Sequence, residues 1–225
     1  MGIAENAGSV FICIKEHRSV MQIQKEDIKK VIIQVARNEF VKKGFKDASM
    51  RTIAKKSEVG LSNIYNYFRN KDEIFREILS GLLCAIDSTM ERHNSPDYLS
   101  VDIFSSEEYM RTQINMFVEM VENHKEDFKL LLFRAAGSSL ENFRNEITNK
   151  HTQTGIEYIA LMKQKYPEIN SNISKFFIHT MSSWWISIIA ELVMHDLSHE
   201  ALENFIREYM EFGTAGWKKV MRVAG

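Results

Sequence analysis

The chain has 225 residues, of which 44% are hydrophobic and 26% are charged, a composition that excludes wholesale disorder. Two cysteines, Cys13 and Cys84, are too few for a disulfide framework and favour a reduced, cytoplasmic protein, and the lack of an eighteen-residue apolar run predicts no membrane span. The net charge of −1 hides an asymmetry, because residues 25–75 carry twelve Lys and Arg against seven Asp and Glu. This basic segment favours a polyanionic partner, although a solvated helix face would carry the same excess.

Helical periodicity dominates the chain, and only two prolines and ten glycines interrupt it. Residues 1–21 lack the basic flank and cleavage site of a signal peptide, so we interpret them as an N-terminal extension, either mobile or upstream of the native start. No segment alternates as a strand does, which predicts an all-α fold. Gly44 is expected to end the first helix, and Ser49, Asn70 and Ser198 to cap later ones. The predicted helices cover residues 25–44, 50–56, 61–68, 71–93, 106–124, 127–136, 140–166, 169–194 and 198–223.

Two of these helices, 50–56 and 61–68, are short, lie in the basic segment and are separated by a turn of three or four residues. Apolar side chains on both would brace one against the other, while the second helix begins with Leu61, Ser62 and Asn63. A recognition helix needs small or polar side chains at its N-terminal end, where it meets base edges. Lys71, at the start of the next helix, is well placed to contact phosphate. The pattern therefore predicts a DNA-binding helix-turn-helix.

The residues from Gly44 to Ile74 resemble the tetracycline-repressor (TetR) family. Gly44-Phe45, Thr52-Ile53-Ala54 and above all Tyr65-Asn66-Tyr67-Phe68-Arg69-Asn70-Lys71 carry the resemblance. Glu58, Gly60 and Ser62 depart from the glycine, serine and glycine usual in the family, which affects the expected operator sequence. The resemblance implies a ligand-responsive transcriptional repressor that binds a palindromic double-stranded DNA operator as a homodimer and uses no cofactor. The implied domains are residues 22–82 for DNA binding and 83–225 for ligand binding and dimerisation.

The resemblance also implies roles for individual residues. Base-edge or near-base roles fall on Arg51, Leu61, Ser62 and Asn63. Contacts with the DNA backbone fall on Ser49, Tyr65, Tyr67 and Lys71. Tyr65 and Tyr67 are equally compatible with a packing role.

The last two predicted helices are apolar almost all round, so each needs burial against its own domain and against a second surface. The resemblance implies that this second surface is another copy of the chain, and a wholly intramolecular core is the alternative. Gly213 and Gly216 would allow the close approach of a partner helix. The predicted dimer interface comprises Trp185, Ile189, Phe205, Tyr209, Gly213, Gly216 and Trp217.

Methionines and aromatic residues on the middle helices are suited to line a pocket for a small, largely apolar effector, although plain core packing gives the same pattern. Polar groups that could orient a ligand are His124, His151, Thr154, His179 and Thr180. The helix that begins near Lys71 would join the two domains and transmit the ligand signal. The predicted pocket residues are Phe117, Met120, Val121, Phe128, Leu132, Phe143, Tyr158, Met162, Phe177, Met181 and Trp184.

Two other functions remain as alternatives. His195 and His199 have a spacing that can hold a metal, but Ser198 is expected to cap a helix between them, so no metal site is predicted. No nucleophile-elbow, P-loop, dinucleotide or zinc-protease motif is present, so an enzyme is not expected. A helical adaptor whose helix-turn-helix no longer binds DNA is the remaining candidate, and it would give no salt-dependent, sequence-specific gel shift.

Overall fold

The computed structural model describes the backbone of residues 6–93, 95 and 98–223, and the side chains of residues 25–92, 95 and 98–223. Every regular element in these ranges is helical, which confirms the predicted all-α fold. A 3₁₀-helix, Val101–Phe104, lies between the fourth and fifth α-helices. The α-helices are α1 Asn6–Asp47, α2 Met50–Ser57, α3 Leu61–Ile64, α4 Lys71–His93, α5 Glu107–Phe133, α6 Phe143–Lys165, α7 Lys175–Met194 and α8 His199–Val220.

The chain divides into two compact units at Ile78 and Leu79, and α4 supplies residues to both. In unit 1, α1 packs on α2 and α2 on α3 around an aromatic centre. The Phe40 ring meets the edge of Phe75 at a centroid distance of 5.1 Å, and Phe45 stacks on Phe40 at 5.8 Å. All three rings are buried, so they fix the end of α1 against the start of α4.

Gly44 interrupts α1 with φ 76° and ψ 168°. This left-handed conformation favours glycine because a Cβ would approach the following carbonyl. Regular helix therefore ends at Gly44, as predicted, and one further turn leads to Asp47. At its other end the α1 backbone is helical from Asn6, within the predicted N-terminal extension, whereas residues 1–5 and all side chains before Lys25 lie outside the described part of the chain.

In unit 2, α5 packs on α7 and α8, and α6 packs on α7. One cluster of buried side chains joins α6, the segment after it, α7 and the end of α8. Its members are Tyr158, Ile159, Met162, Ile169, Ile178 and Met221.

Two predicted helix boundaries in unit 2 are wrong. The helices predicted at 106–124 and 127–136 are one helix, α5, which bends at His124 (φ −122°, ψ 15°) without ending. The helix predicted from Ile169 begins only at Lys175, where the Ser174 hydroxyl accepts a bond from the Phe177 amide. The chain before it stays irregular because Asn170 bonds the end of α8, through its amide to the Met221 carbonyl and its side chain to the Val220 carbonyl. The predicted Ser198 cap is present: its hydroxyl accepts a bond from the Ala201 amide at the start of α8.

Candidate functional site

The two short helices of unit 1 form a compact pair. Ile53 and Ala54 of α2 and Ile64 of α3 are buried, so the apolar residues brace α3 against α2 as the sequence suggests. The helix predicted at 61–68 is only one α-helical turn, in which the Asn63 and Ile64 amides both bond the Gly60 carbonyl. Hydrogen-bonded turns carry the chain on to Phe68, which is also buried and whose amide bonds the Ile64 carbonyl at 3.0 Å.

The side chains predicted to contact DNA fall into two groups. Arg51, Ser62, Asn63 and Tyr65 are exposed, whereas Ser49, Leu61, Tyr67 and Lys71 are half-buried. Ser49 occupies the N-cap position of α2, but its hydroxyl makes no capping bond. These placements put an exposed polar surface at the start of α3.

Asn66 extends this polar surface, although no role was predicted for it. Its side-chain nitrogen donates to the Asn63 side-chain oxygen at 3.1 Å, which holds the two amides as a pair. The sequence signal was present, since Asn63 and Asn66 are three residues apart and so share a face of a helical turn.

The ammonium group of the half-buried Lys71 is bonded to backbone carbonyls of the same chain. It donates to the carbonyl oxygens of Phe45 (2.6 Å), Ala48 (2.9 Å) and Lys46 (3.2 Å), and it lies 4.3 Å from the centre of the Phe45 ring. Burial of this cation lowers the pKa of Lys71. Because an ammonium has three N–H donors, these carbonyls occupy all of them.

A buried carboxylate joins α1 to α2. Glu39 has no solvent exposure, and its two oxygens lie 2.7 Å from Lys43 Nζ and 2.6 Å from Lys56 Nζ. Hydrogen bonds from Lys43 and then Lys56 lower the pKa of Glu39, so the carboxylate stays ionised. Lys43 lies on α1 beside Glu39, whereas Lys56 lies on α2, so the Lys56 contact is the one that fixes the helix-turn-helix to the long first helix.

Unit 2 contains a cavity of about 700 Å³, within the usual size range of ligand pockets. Nine of the eleven predicted pocket residues line it. The exceptions are Val121 and Met162, which are buried in the packing and do not reach the wall. Of the five polar candidates only His151 and Thr154 lie on the wall.

His151 and Ser182 form a polar contact on the cavity wall. The Ser182 hydroxyl donates to the Ile178 carbonyl at 3.0 Å and lies 3.0 Å from His151 Nδ1. Because a hydroxyl has one proton, Nδ1 of His151 is assigned as the donor in the second contact. Four polar residues near the N-terminal end of α5 also line the cavity without having been predicted, because their meeting depends on tertiary packing: Arg92, Tyr98, Tyr109 and Gln113.

Four of the seven predicted dimer residues make contacts within unit 2. Trp185 stacks on Tyr209 at 5.0 Å and meets Phe117 at 4.8 Å, Trp217 packs against Phe177, and Ile189 is buried. Of the other three, Phe205 and Gly216 are exposed on α8, whereas Gly213 is half-buried and lines the cavity. A Cβ added to either glycine would meet no atom within 4 Å.

The outer side of α7 and α8 also carries exposed aromatic rings. Phe176 is 79% exposed and Phe212 66%, and Trp184 packs edge-on against Phe212 at 5.8 Å. Trp184, Phe212 and Gly216 belong to the cavity wall as well, so the wall reaches the surface here. Among the described helices, α7 alone is long and apolar enough to cross a membrane by length and composition, and 44% of that window is buried inside the protein.

The two histidines with metal-ligand spacing have separate carboxylate partners. His199 Nδ1 lies 2.9 Å from Glu122 Oε1, and His195 Nε2 lies 3.3 Å from Glu191 Oε2. The described residues contain no group of three or more His, Cys, Asp or Glu side chains that could hold a metal ion.

A family model described as "Bacterial regulatory proteins, tetR family" matches residues 32–78, which include the helix-turn-helix. This match places the helix-turn-helix segment in the tetR family. The chain is also 42% identical, over 57 positions, to an uncharacterized HTH-type transcriptional regulator, YhgD, of Bacillus subtilis strain 168. That alignment covers 25% of this chain and 30% of the relative.

Solved structures extend the similarity to both units at the level of the fold. NalD of Pseudomonas aeruginosa, the secondary repressor of the MexAB-OprM multidrug efflux pump, aligns with a TM-score of 0.55 and 18% identity over 84% of this chain and 96% of NalD. The transcriptional regulator FadR of Bacillus subtilis, in complex with stearoyl-CoA, aligns with a TM-score of 0.51 and 20% identity over 82% of this chain and 98% of FadR. At these identities the alignments establish a common fold.

Proposed function

We propose that this chain is a DNA-binding transcriptional repressor and not an enzyme. It binds a palindromic operator as a homodimer, works in the cytoplasm, and is released by a small, largely apolar effector. Base edges are read by Arg51, Leu61, Ser62 and Asn63, and the DNA backbone is contacted by Ser49, Tyr65 and Tyr67.

The observation that carries the proposal is the surface at the start of α3. Ser62, Asn63 and Tyr65 are exposed on a turn whose apolar side, Ile64 and Phe68, is buried. Exposed polar side chains on a rigid support suit direct readout, in which amide side chains form paired hydrogen bonds with adenine. The match of the surrounding segment to the tetR family supports this interpretation.

The cavity of unit 2 supports an effector site. Its wall consists mainly of aromatic, methionine and branched aliphatic side chains, which suit an apolar ligand. The FadR structure of similar fold contains stearoyl-CoA, a ligand with a long apolar chain. Because α4 belongs to both units, it connects the DNA-binding surface covalently to the wall at Ile86 and Met90.

The homodimer is supported by the exposed aromatic rings on the outer side of α7 and α8. Contiguous apolar surface of this kind is typical of a protein interface. A second copy packed on Phe205, Gly213 and Gly216 would also cover the part of the cavity wall that reaches the surface.

The proposal is tested by selecting DNA that the protein binds from a random pool and comparing variants on the selected sequence. Asn63→Ala should change the preferred base at one position of each half-site, at a cost of about 1–3 kcal/mol for its base pair. Asn38→Ala is the matched control, because Asn38 is an exposed amide on α1 outside the helix-turn-helix. It should leave the preference unchanged.

The selection also separates the proposed regulator from a helical adaptor. A regulator gives a sequence-specific complex whose affinity falls as salt rises. Failure to enrich any sequence at low salt would contradict DNA recognition and favour the adaptor.

A further inference from the structure

The wall of the cavity carries a permanent charge at one position. Among the described residues of that wall none is Asp, Glu or Lys, and Arg92 is the single Arg. The Arg92 guanidinium donates to the Met116 sulfur at 3.2 Å and to the Thr89 hydroxyl at 3.5 Å, and neither partner is an anion. A guanidinium has five donors in a planar fork that matches a carboxylate or a phosphate. The arginine is therefore suited to receive an anionic group from a ligand.

Further hydrogen-bonding groups lie at the same end of the cavity, which we call the polar end and define by Arg92, Tyr98, Tyr109 and Gln113. Gln113 is buried and its side-chain nitrogen donates to the Tyr98 hydroxyl at 3.3 Å, while the rings of Tyr98 and Tyr109 meet at 5.6 Å. Met116, which Arg92 contacts, follows Gln113 by one helical turn. Burial raises the pKa of Tyr109 to about 12, so its hydroxyl remains a donor at neutral pH.

Beyond the polar end, the part of the wall that α5 supplies is apolar. Along α5 it continues from Met116 through Phe117, Met120 and Phe128 to Leu132. Sixteen residues of straight helix would span about 24 Å, and this stretch includes the bend at His124. The cavity thus combines one cationic end with a long apolar surface.

We propose that the effector is an amphipathic anion whose hydrocarbon chain lies along α5 and whose anionic oxygens bind Arg92. This inference rests on the proposed function, because it takes the cavity as the effector site. The anionic group has two possible sources: the carboxylate of a free long-chain acid, or the phosphates of its coenzyme A thioester.

Three probes of equal chain length distinguish these sources: dodecanoate, dodecanoyl-CoA and the neutral 1-dodecanol. Each is titrated into the full-length protein below its micellar concentration. Binding is followed by tryptophan fluorescence, since Trp184, Trp185 and Trp217 all line the cavity. We expect at least one of the two anions to bind at least tenfold more tightly than the alcohol.

Arg92→Gln should remove this preference, because the affinity for the anion should fall to that for dodecanol. The affinity for dodecanol should stay the same. Arg92→Lys, which keeps the charge, should retain most of the preference. Arg111→Gln is the matched control, because Arg111 is an exposed arginine on α5 that does not line the cavity. It should bind all three probes as the wild type does.

The outcomes separate this inference from the proposed function. If the wild type binds acid, thioester and alcohol equally, the anionic assignment is overturned and the proposal of an apolar effector stands. The same holds if the preference for the anion survives in Arg92→Gln. If none of the probes binds, the inference fails together with the effector part of the proposed function. A preference for dodecanoate, or for dodecanoyl-CoA, that depends on Arg92 supports the inference and identifies the anionic group.

Discussion

The ammonium group of Lys71 donates hydrogen bonds to three carbonyl oxygens between the end of α1 and the start of α2. These carbonyls belong to Phe45, Lys46 and Ala48, at and just after the last turn of α1, where carbonyls lose the amide partner four residues on. The Phe45 carbonyl also accepts from the Ala48 amide at 3.3 Å. A cation at the end of a helix also interacts favourably with its dipole. The contacts indicate that Lys71 holds the helix-turn-helix to α1. The resemblance to the family assigns the same residue a contact with DNA phosphate, and this role stays a prediction.

The structural role and the phosphate role of Lys71 lead to different results for Lys71→Met. If the ammonium holds the carbonyls, its loss should destabilise unit 1 by about 1.5–3 kcal/mol, the range for hydrogen bonds to a charged group. The plot of log affinity against log salt should then keep its slope. If the ammonium binds phosphate, the slope should fall by about 0.9. From the three bonds we expect the first result, measured by thermal unfolding and by operator binding over a range of salt concentrations.

Arg51→Gln provides the comparison for Lys71→Met. Arg51 is exposed on α2 and is expected near the DNA, so its removal should lower the salt slope without lowering thermal stability. A drop in slope for Lys71→Met as large as that for Arg51→Gln would assign the Lys71 ammonium to the DNA and refute the structural role.

At the scale of the element, the end of α2 is strained. Glu58 has φ 57° and ψ 19°, a left-handed conformation that costs a residue with a Cβ about 1–2 kcal/mol. Glycine adopts it freely but loses about 0.5–1 kcal/mol more through its unfolded-state entropy. Glu58→Gly should therefore stabilise the protein by about 0.5–1 kcal/mol in denaturant unfolding.

Glu58→Ala separates conformation from charge in this experiment. It removes the same carboxylate but keeps the Cβ and hence the strain, so it should not give the gain. If alanine stabilises the protein as much as glycine does, the effect comes from the lost negative charge and the strain argument fails.

Helix ends were predictable where local chemistry sets them. Asn70 bonds the Glu73 amide at the start of α4, and Ser198 bonds the Ala201 amide at the start of α8. The start of α7 was not predictable, because Asn170 is held by carbonyls fifty residues away in the sequence, at the end of α8. The sequence predicts a break near His124 where the structure has a bend. A residue that leaves helical dihedrals without ending the helix has no capping signal that would distinguish the two.

At the scale of the whole molecule, the sequence predicted more about unit 1 than about unit 2. The helix-turn-helix consists of contacts between residues close in sequence, and its motif is readable directly. The cavity forms only where α4, α5, α6, α7 and α8 pack together. The helical periodicity of the sequence therefore predicts that Phe117 and Met181 face the core, but it does not predict which core-facing residues border the cavity. The same limit explains Val121 and Met162, whose side chains fill the packing instead.

The proposed homodimer can be tested by substituting a residue that has free space around it in the single chain. Gly216 is exposed, and a Cβ there would meet no atom within 4 Å, so Gly216→Arg costs the single chain nothing by steric contact. Replacing an exposed helical glycine should even stabilise the helix by about 0.8–1 kcal/mol.

In a dimer packed on α8, the same arginine would bring a charge and a long side chain into an apolar interface. We therefore expect Gly216→Arg to sediment as a monomer at micromolar concentration and to bind a palindromic operator much more weakly, since the two recognition helices are no longer linked at the spacing of about one duplex turn. Asn204→Arg is the matched control: it adds the same charge at an exposed position of α8, about a third of a turn around the helix from Gly216, and should remain dimeric. A wild-type protein that is monomeric at this concentration, or a Gly216→Arg variant that stays dimeric and binds the operator normally, would contradict dimerisation through this face of α8.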